Sequence, residues 1–143
     1  MSARLTIALD AMGGDNAPAI VVNGADLARV RHPEVEYVLF GDQAKLTPLL
    51  DRLPKLKPLC RIAHTPDAVS GDDKPSVALR NGRQSSMRLA IDCVRDGGAA
   101  GVVSAGNTGA LMAMAKVVLR MLPGIDRPAI ASYFPNERAE TVM

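Results

Sequence analysis

Aromatic residues are scarce in this 143-residue chain: two Tyr, two Phe and no Trp, 3% of the whole. Single-stranded nucleic acid is held on platforms of such rings, so no nucleic-acid partner is expected. Cysteine is as sparse. Cys60 and Cys93 form no Cys-x-x-Cys and have no histidine at ligand spacing, so they are expected to be buried free thiols in a reducing cytosol. A surplus of one charge is missing too. Seventeen basic against fifteen acidic residues leave a net charge of +2, too mild to indicate a nucleic-acid or membrane partner. No apolar run reaches the roughly 20 residues of a membrane span, and the one at the start is too short for a signal peptide. The expected location is therefore cytoplasmic. Also absent are the dinucleotide fingerprint G-x-G-x-x-G after the first strand, the phosphate loop G-x-x-x-x-G-K-[ST], the nucleophile elbow G-x-S-x-G and any metal-ligand set. No cofactor and no metal are expected.

What remains is an ordinary globular composition, 48% hydrophobic and 22% charged, in a length that fits one domain. Among the cations Arg dominates, twelve against five Lys, and Arg is the better grip for planar anions. Leu5–Asp10 is a continuous apolar run ended by an acid, the pattern of a strand covered on both faces. Residues 11–18 read as a loop in which Asp15 and Asn16 are cap candidates and Pro18 suits a first helical turn. A helix follows from Ala19 to about Val30. Tyr37–Phe40 is a second strand, and Gln43–Leu53 a helix with Leu46, Leu49, Leu50 and Leu53 on one face. Leu59–Ala63 is a third strand. Residues 64–74 are the least regular and are expected to form a mobile loop. Helices at Pro75–Arg80 and Ser85–Arg95 follow, the second with Met87, Ile91 and Val94 on a shared face and a Gly97-Gly98 stop. A strand at Gly101–Ser104, a turn and an apolar helix from about Gly109 come next. The helix has no charge before Lys116 and is expected to be buried all round. Ala129–Phe134 reads as a fifth strand. Strands alternating with helices predict an α/β fold: a mostly parallel sheet between two helical layers. The last residues, 137–143, end as an apolar run begins after a charged turn, which suggests a piece of a longer chain.

In such sheets ligands bind beyond the carboxyl ends of the strands. The turn Ser104–Gly109 has small residues there that can cap a helix start, so backbone N–H groups and the positive end of a helix dipole point at one spot. That suits an anion; a well-capped structural turn would look the same. Lys74, Arg80, Arg83 and Arg88 form a second anion-friendly segment, or a solvated basic face. Asp10 and Asp15 bracket Gly13 and Gly14 as a site carboxylate and clasp, or as a turn with Asp15 as its cap. Asp72 and Asp73 are a metal pair or simply face water, and His64 is a base or a strand-end residue. No Ser or Cys has an adjacent base, which argues against an acyl-enzyme.

The stretches LDAMGGDNAP (9–18), KPSVALRNGRQSSMRLAID (74–92), VVSAGNTGALMA (102–113) and GIDRPAIA (124–131) resemble, in order, the phosphate acyltransferase family of bacterial phospholipid synthesis. The resemblance is to the amino-terminal part of a longer protein, so residues 1–143 are expected as that part of an α/β domain similar in fold to phosphotransacetylases and isocitrate/isopropylmalate dehydrogenases. It implies reversible transfer of a long-chain acyl group from acyl carrier protein to inorganic phosphate, giving an acyl phosphate that a membrane glycerol-3-phosphate acyltransferase consumes. It also implies a homodimer in the full-length protein and loose peripheral association with the membrane. By the resemblance, Ser104, Gly106, Asn107, Thr108 and Gly109 hold phosphate. Asp10, Gly13, Gly14, Lys74, Arg80 and Arg83 meet substrate, with the division of the cations between phosphate and the carrier's phosphopantetheine left open. The resemblance assigns no catalytic acid or base within these residues, and the chain alone is expected to be inactive. Two other readings stay open: a nucleotide-binding oxidoreductase-like domain and a non-catalytic anion-binding module.

Overall fold

A computed structural model describes residues 5–137 and 140–143 of the chain. Met1–Arg4, part of the signal-peptide reading, and Arg138–Ala139, in the charged turn, lie outside the described residues.

The strands β1 (Thr6–Asp10), β2 (Glu36–Gly41), β3 (Cys60–His64) and β4 (Gly101–Val103) form one sheet in the order β3-β2-β1-β4. Every pairing in it is parallel, with Ile7 opposite Tyr37 on one side and Gly101 on the other. The helices are α1 (Ala19–Arg31), α2 (Gln43–Asp51), α3 (Pro75–Asn81), α4 (Ser86–Arg95) and α5 (Thr108–Leu119). A short 3-10 turn, Lys57–Leu59, leads into β3. The expected α/β class and parallel sheet are thus borne out.

Alternation of side chains along the strands divides the core into two layers. Leu9 and Leu39 point to one face, where α1 and α2 contribute Val22, Ala25, Leu46 and Leu50. Ala8, Val38 and Phe40 point to the other, where Ala90 of α4 covers them. Leu49 and Leu53 pack at the margin of the first layer, so the leucine face read for α2 is the buried one. Each fully buried Leu adds roughly 1.5–3 kcal/mol relative to an exposed one, and Leu39 and Leu46 are both fully covered.

The connections give the sheet its switch point. The links β1–α1–β2 and β2–α2–β3 step one way along the sheet, whereas the link through α3 and α4 returns past β2 and β1 to place β4 on the far side of β1. Strand order therefore reverses between β1 and β4, where a crevice opens at the carboxyl ends.

Four expectations need correction. α5 is not buried all round: Ala110, Met114 and Val118 are buried, but Met112, Val117 and Leu119 are exposed. The helix rests on α3 and α4 from outside instead of lying against the sheet, so only one stripe is covered. Ala129–Phe134 is not a fifth strand of the main sheet. β5 (Tyr133–Pro135) pairs antiparallel with β6 (Glu140–Val142) in a separate two-stranded hairpin. Neither Asp15 nor Asn16 caps α1 by its side chain; Pro18 occupies the N-cap position. The cysteines are free, as expected, but half-buried.

Burial still dominates their chemistry. It pushes the Cys60 thiol up to about 12 and raises that of Cys93. Because the thiolate is the nucleophile, Cys60 is expected to resist iodoacetamide at pH 8 in the folded chain and to react once urea unfolds it. Mass spectrometry after timed alkylation checks this; equal rates in both states would contradict it.

Candidate functional site

Four segments that are distant in sequence meet at the switch point. Asp10 ends β1 and is 1% exposed. Ser86 Oγ donates to Asp10 Oδ1 at 2.6 Å, and Ser104 Oγ donates to Asp10 Oδ2 at 2.7 Å. Each oxygen of the carboxylate therefore accepts one serine hydroxyl. Ser104 Oγ in turn accepts from the backbone N–H of Gly106 at 3.1 Å. Among the described residues, no buried side-chain nitrogen or oxygen is left without a partner.

Glycines allow the two turns to touch. A Cβ at Gly13 would strike the Asp10 carboxylate and stand 2.9 Å from Ser104 Oγ. Gly14 has φ +101°, a region that disfavours side chains, and its Cβ would sit 2.9 Å from the Ala105 carbonyl oxygen. A Cβ at Gly106 would lie 3.2 Å from the Gly13 Cα. The loop after β1 and the turn after β4 therefore lie backbone against backbone.

Asn107 begins α5. Its Oδ1 accepts from the Ala110 N–H at 3.0 Å, an N-cap. Its Nδ2 donates to the carbonyls of Ser70, Gly71 and Asp73 at 3.3, 3.1 and 2.7 Å. The loop expected to be mobile is irregular, yet tied at several points. Besides Asn107, Thr65 Oγ1 donates to the Gln84 carbonyl at 2.6 Å and the Ser86 N–H donates to the Asp67 carbonyl at 2.9 Å. The side chain of Asn107 is thus fully engaged inside the protein. The N–H groups of Thr108 and Gly109, in the first turn of α5, have no hydrogen-bond partner among the described residues. A groove of about 390 Å³ runs beside this turn, lined by Met12, Gly14, Asp15, residues 69–71 and residues 105–107.

The other site residues expected from sequence fall in two places. Lys74 is the N-cap residue of α3, exposed, and follows Asp73, whose carbonyl is held by Asn107. Gly109 faces the start of α3, where a Cβ would be 2.8 Å from Pro75 Cγ. Arg80 and Arg83, however, line a separate groove of about 520 Å³ with Arg88, Ser76, Leu79 and Val117. Arg88 there is paired with Asp92 at 3.2 Å, while Arg80 and Arg83 form no ion pair among the described residues. His64 Nδ1 accepts from the Gln43 N–H at 3.1 Å, and Asp73 Oδ2 accepts from the Ser70 N–H at 3.0 Å. No group of three or more metal-ligating side chains occurs among the described residues. The sequence reading missed Ser86, although its neighbour Ser85 was correctly placed at the helix start. Ser85 is the cap and Ser86 the buried donor. Two consecutive hydroxyls at a helix start were the available signal.

A phosphate acyltransferase of Rhodospirillum centenum is 67% identical over all 143 residues, which cover 40% of that relative. Those of Rhodospirillum rubrum and Paramagnetospirillum magneticum are 59% and 58% identical over the whole chain, 41% of each relative. The chain thus spans about two-fifths of the length of these curated relatives. A family model described as "Fatty acid synthesis protein" matches residues 5–143. That match runs from just before β1 to the last residue and includes every strand of the sheet and every turn of the crevice: the chain belongs to the fatty acid synthesis protein family.

Proposed function

We propose that this chain supplies the phosphate-binding side of a phosphate acyltransferase. In the full-length protein, a long-chain acyl group passes from acyl carrier protein to inorganic phosphate for phospholipid synthesis. An oxygen of phosphate attacks the thioester carbonyl carbon, the carbon–sulfur bond breaks, and its electron pair leaves with the sulfur. The needs are an anion held in line and donors for the developing oxyanion, which fixed N–H groups supply without a metal or covalent intermediate.

The observation that carries this reading is the pair of N–H groups on Thr108 and Gly109, unpartnered among the described residues, in the first turn of α5 just after the groove-lining residues 105–107. They sit at the positive end of the α5 dipole. The relatives' printed name supports phosphate as the anion. The groove of Arg80, Arg83 and Arg88 supports docking of an acidic carrier on the neighbouring face, with exposed Val117 as an apolar contact. The homodimer and the peripheral contact with a membrane and its glycerol-3-phosphate acyltransferase belong to the same proposal. No helix among the described residues is long and apolar enough to cross a membrane. At two-fifths of the relatives' length, the chain alone binds phosphate without turnover.

Thermal unfolding in inorganic phosphate tests the reading. At a hundredfold excess over the dissociation constant, binding to the folded state alone adds about 2.7 kcal/mol. Matched ionic strength in chloride controls for charge screening, and saturation of the shift at low phosphate separates binding from the general stabilising effect of that salt. A chain that melts at the same temperature in both salts would refute phosphate binding here.

A further inference from the structure

We infer that Asp10 is a positioning residue, which aims the glycine-rich turn at its anion and does not itself meet the ligand. The inference deepens the phosphate reading of this turn and, for its binding consequence, rests on it. Three observations carry it. Asp10 is 1% exposed, and each carboxylate oxygen already accepts a serine hydroxyl. It contributes nothing to the walls of the groove beside the turn. Its negative charge would also oppose an anion in direct contact.

What the carboxylate does is fix protons. Ser104 donates its only hydroxyl proton to Asp10, which leaves the oxygen's lone pairs for the Gly106 N–H. A relay therefore runs from Asp10 through Ser104 to Gly106, and it draws the first donor of the turn inward. Further along the chain, the donors on Thr108 and Gly109 stay unpartnered among the described residues. Ser86 ties the same carboxylate to the start of α4, so the relay is anchored to a helix packed on the sheet. A carboxylate suits this junction because it accepts on both oxygens. An amide of the same shape accepts on one and presents donors on the other side.

The test compares the wild-type chain with Asp10→Asn, Ser104→Ala and Ser104→Thr by two-dimensional amide NMR during titration with inorganic phosphate. Two quantities are read: the Gly106 amide proton shift without phosphate, and the phosphate dissociation constant. Asp10→Asn and Ser104→Ala are each expected to move the Gly106 resonance and to weaken phosphate binding about tenfold, the loss of roughly one oriented hydrogen bond. Ser104→Thr keeps the hydroxyl and restores both readings. A purely structural acid would lower stability yet leave the Gly106 shift and the phosphate affinity of the folded chain unchanged, and that result overturns the inference. If Asp10→Asn does not fold, Ser104→Ala carries the same test. A Gly106 shift that moves in the variants of a chain with no phosphate affinity would uphold the relay and sink the phosphate reading. Phosphate affinity that is intact in every variant would do the reverse.

Discussion

Replacing Gly13 with Ala is expected to destabilise the chain by about 3 kcal/mol. The added Cβ meets the Asp10 carboxylate and Ser104 Oγ. Neither can swing aside cheaply, because each is held by hydrogen bonds on the other side, to Ser86 and to Gly106. Crowding a packed interior costs roughly 1–3 kcal/mol. Disrupting the partners of a buried charge costs about 3–5 kcal/mol. Relaxation around one methyl group keeps the sum near the lower figure. Urea unfolding checks it: the midpoint falls while the slope stays constant. A loss below about 0.5 kcal/mol, the range of ordinary surface substitutions, would show that Asp10 is not held as described.

Asn107→Ala is expected to cost about 2 kcal/mol, from two separable sources. The helix cap on Ala110 contributes about 1 kcal/mol. The donations to the carbonyls of residues 70, 71 and 73 contribute a similar amount, mostly through Asp73, the least exposed of the three contacts. Asn107→Asp separates them. A carboxylate still caps the helix and favours its dipole, but it cannot donate to the loop. The aspartate variant should recover about half of the lost stability while hydrogen exchange at residues 70–73 rises as in the alanine variant. Equal stability of the two variants would mean that the loop contacts, not the cap, account for the whole effect.

Much of the fold was legible in the sequence because its elements are local. The continuous apolar run closed by Asp10 marked a parallel strand, and the four-leucine face marked α2. The glycine-rich turn was legible as a helix start, which it is, with Asn107 as its cap. What was not legible is everything that depends on which segments become neighbours. The three-residue spacing of Arg80 and Arg83 is compatible with the glycine turn or with another face, and only the docking of α3 against α5 turns them into a separate groove. The apolar composition of α5 suggested full burial, but composition does not say how many sides a helix packs on. Tyr133–Pro135 has strand character wherever it lies, and its pairing with β6 instead of the main sheet is a non-local choice. The same limit hid the partnership of Ser86 with Asp10, 76 residues apart.

The placement of β4 beside β1 bears on when, during synthesis, the crevice can exist. Ser104 reaches Asp10 across 94 residues of chain, a separation that delays parallel pairing because loop closure comes before any contact forms. β1, β2 and β3 can assemble in order as they emerge, each beside the last, but β1 keeps an unpaired edge until β4 arrives. At roughly 5–20 residues per second of synthesis, that edge stays open for about 5–20 seconds on the ribosome. A nascent chain arrested before residue 101 would therefore present three of the four strands, with the edge of β1 bare and the turn that follows β4 absent.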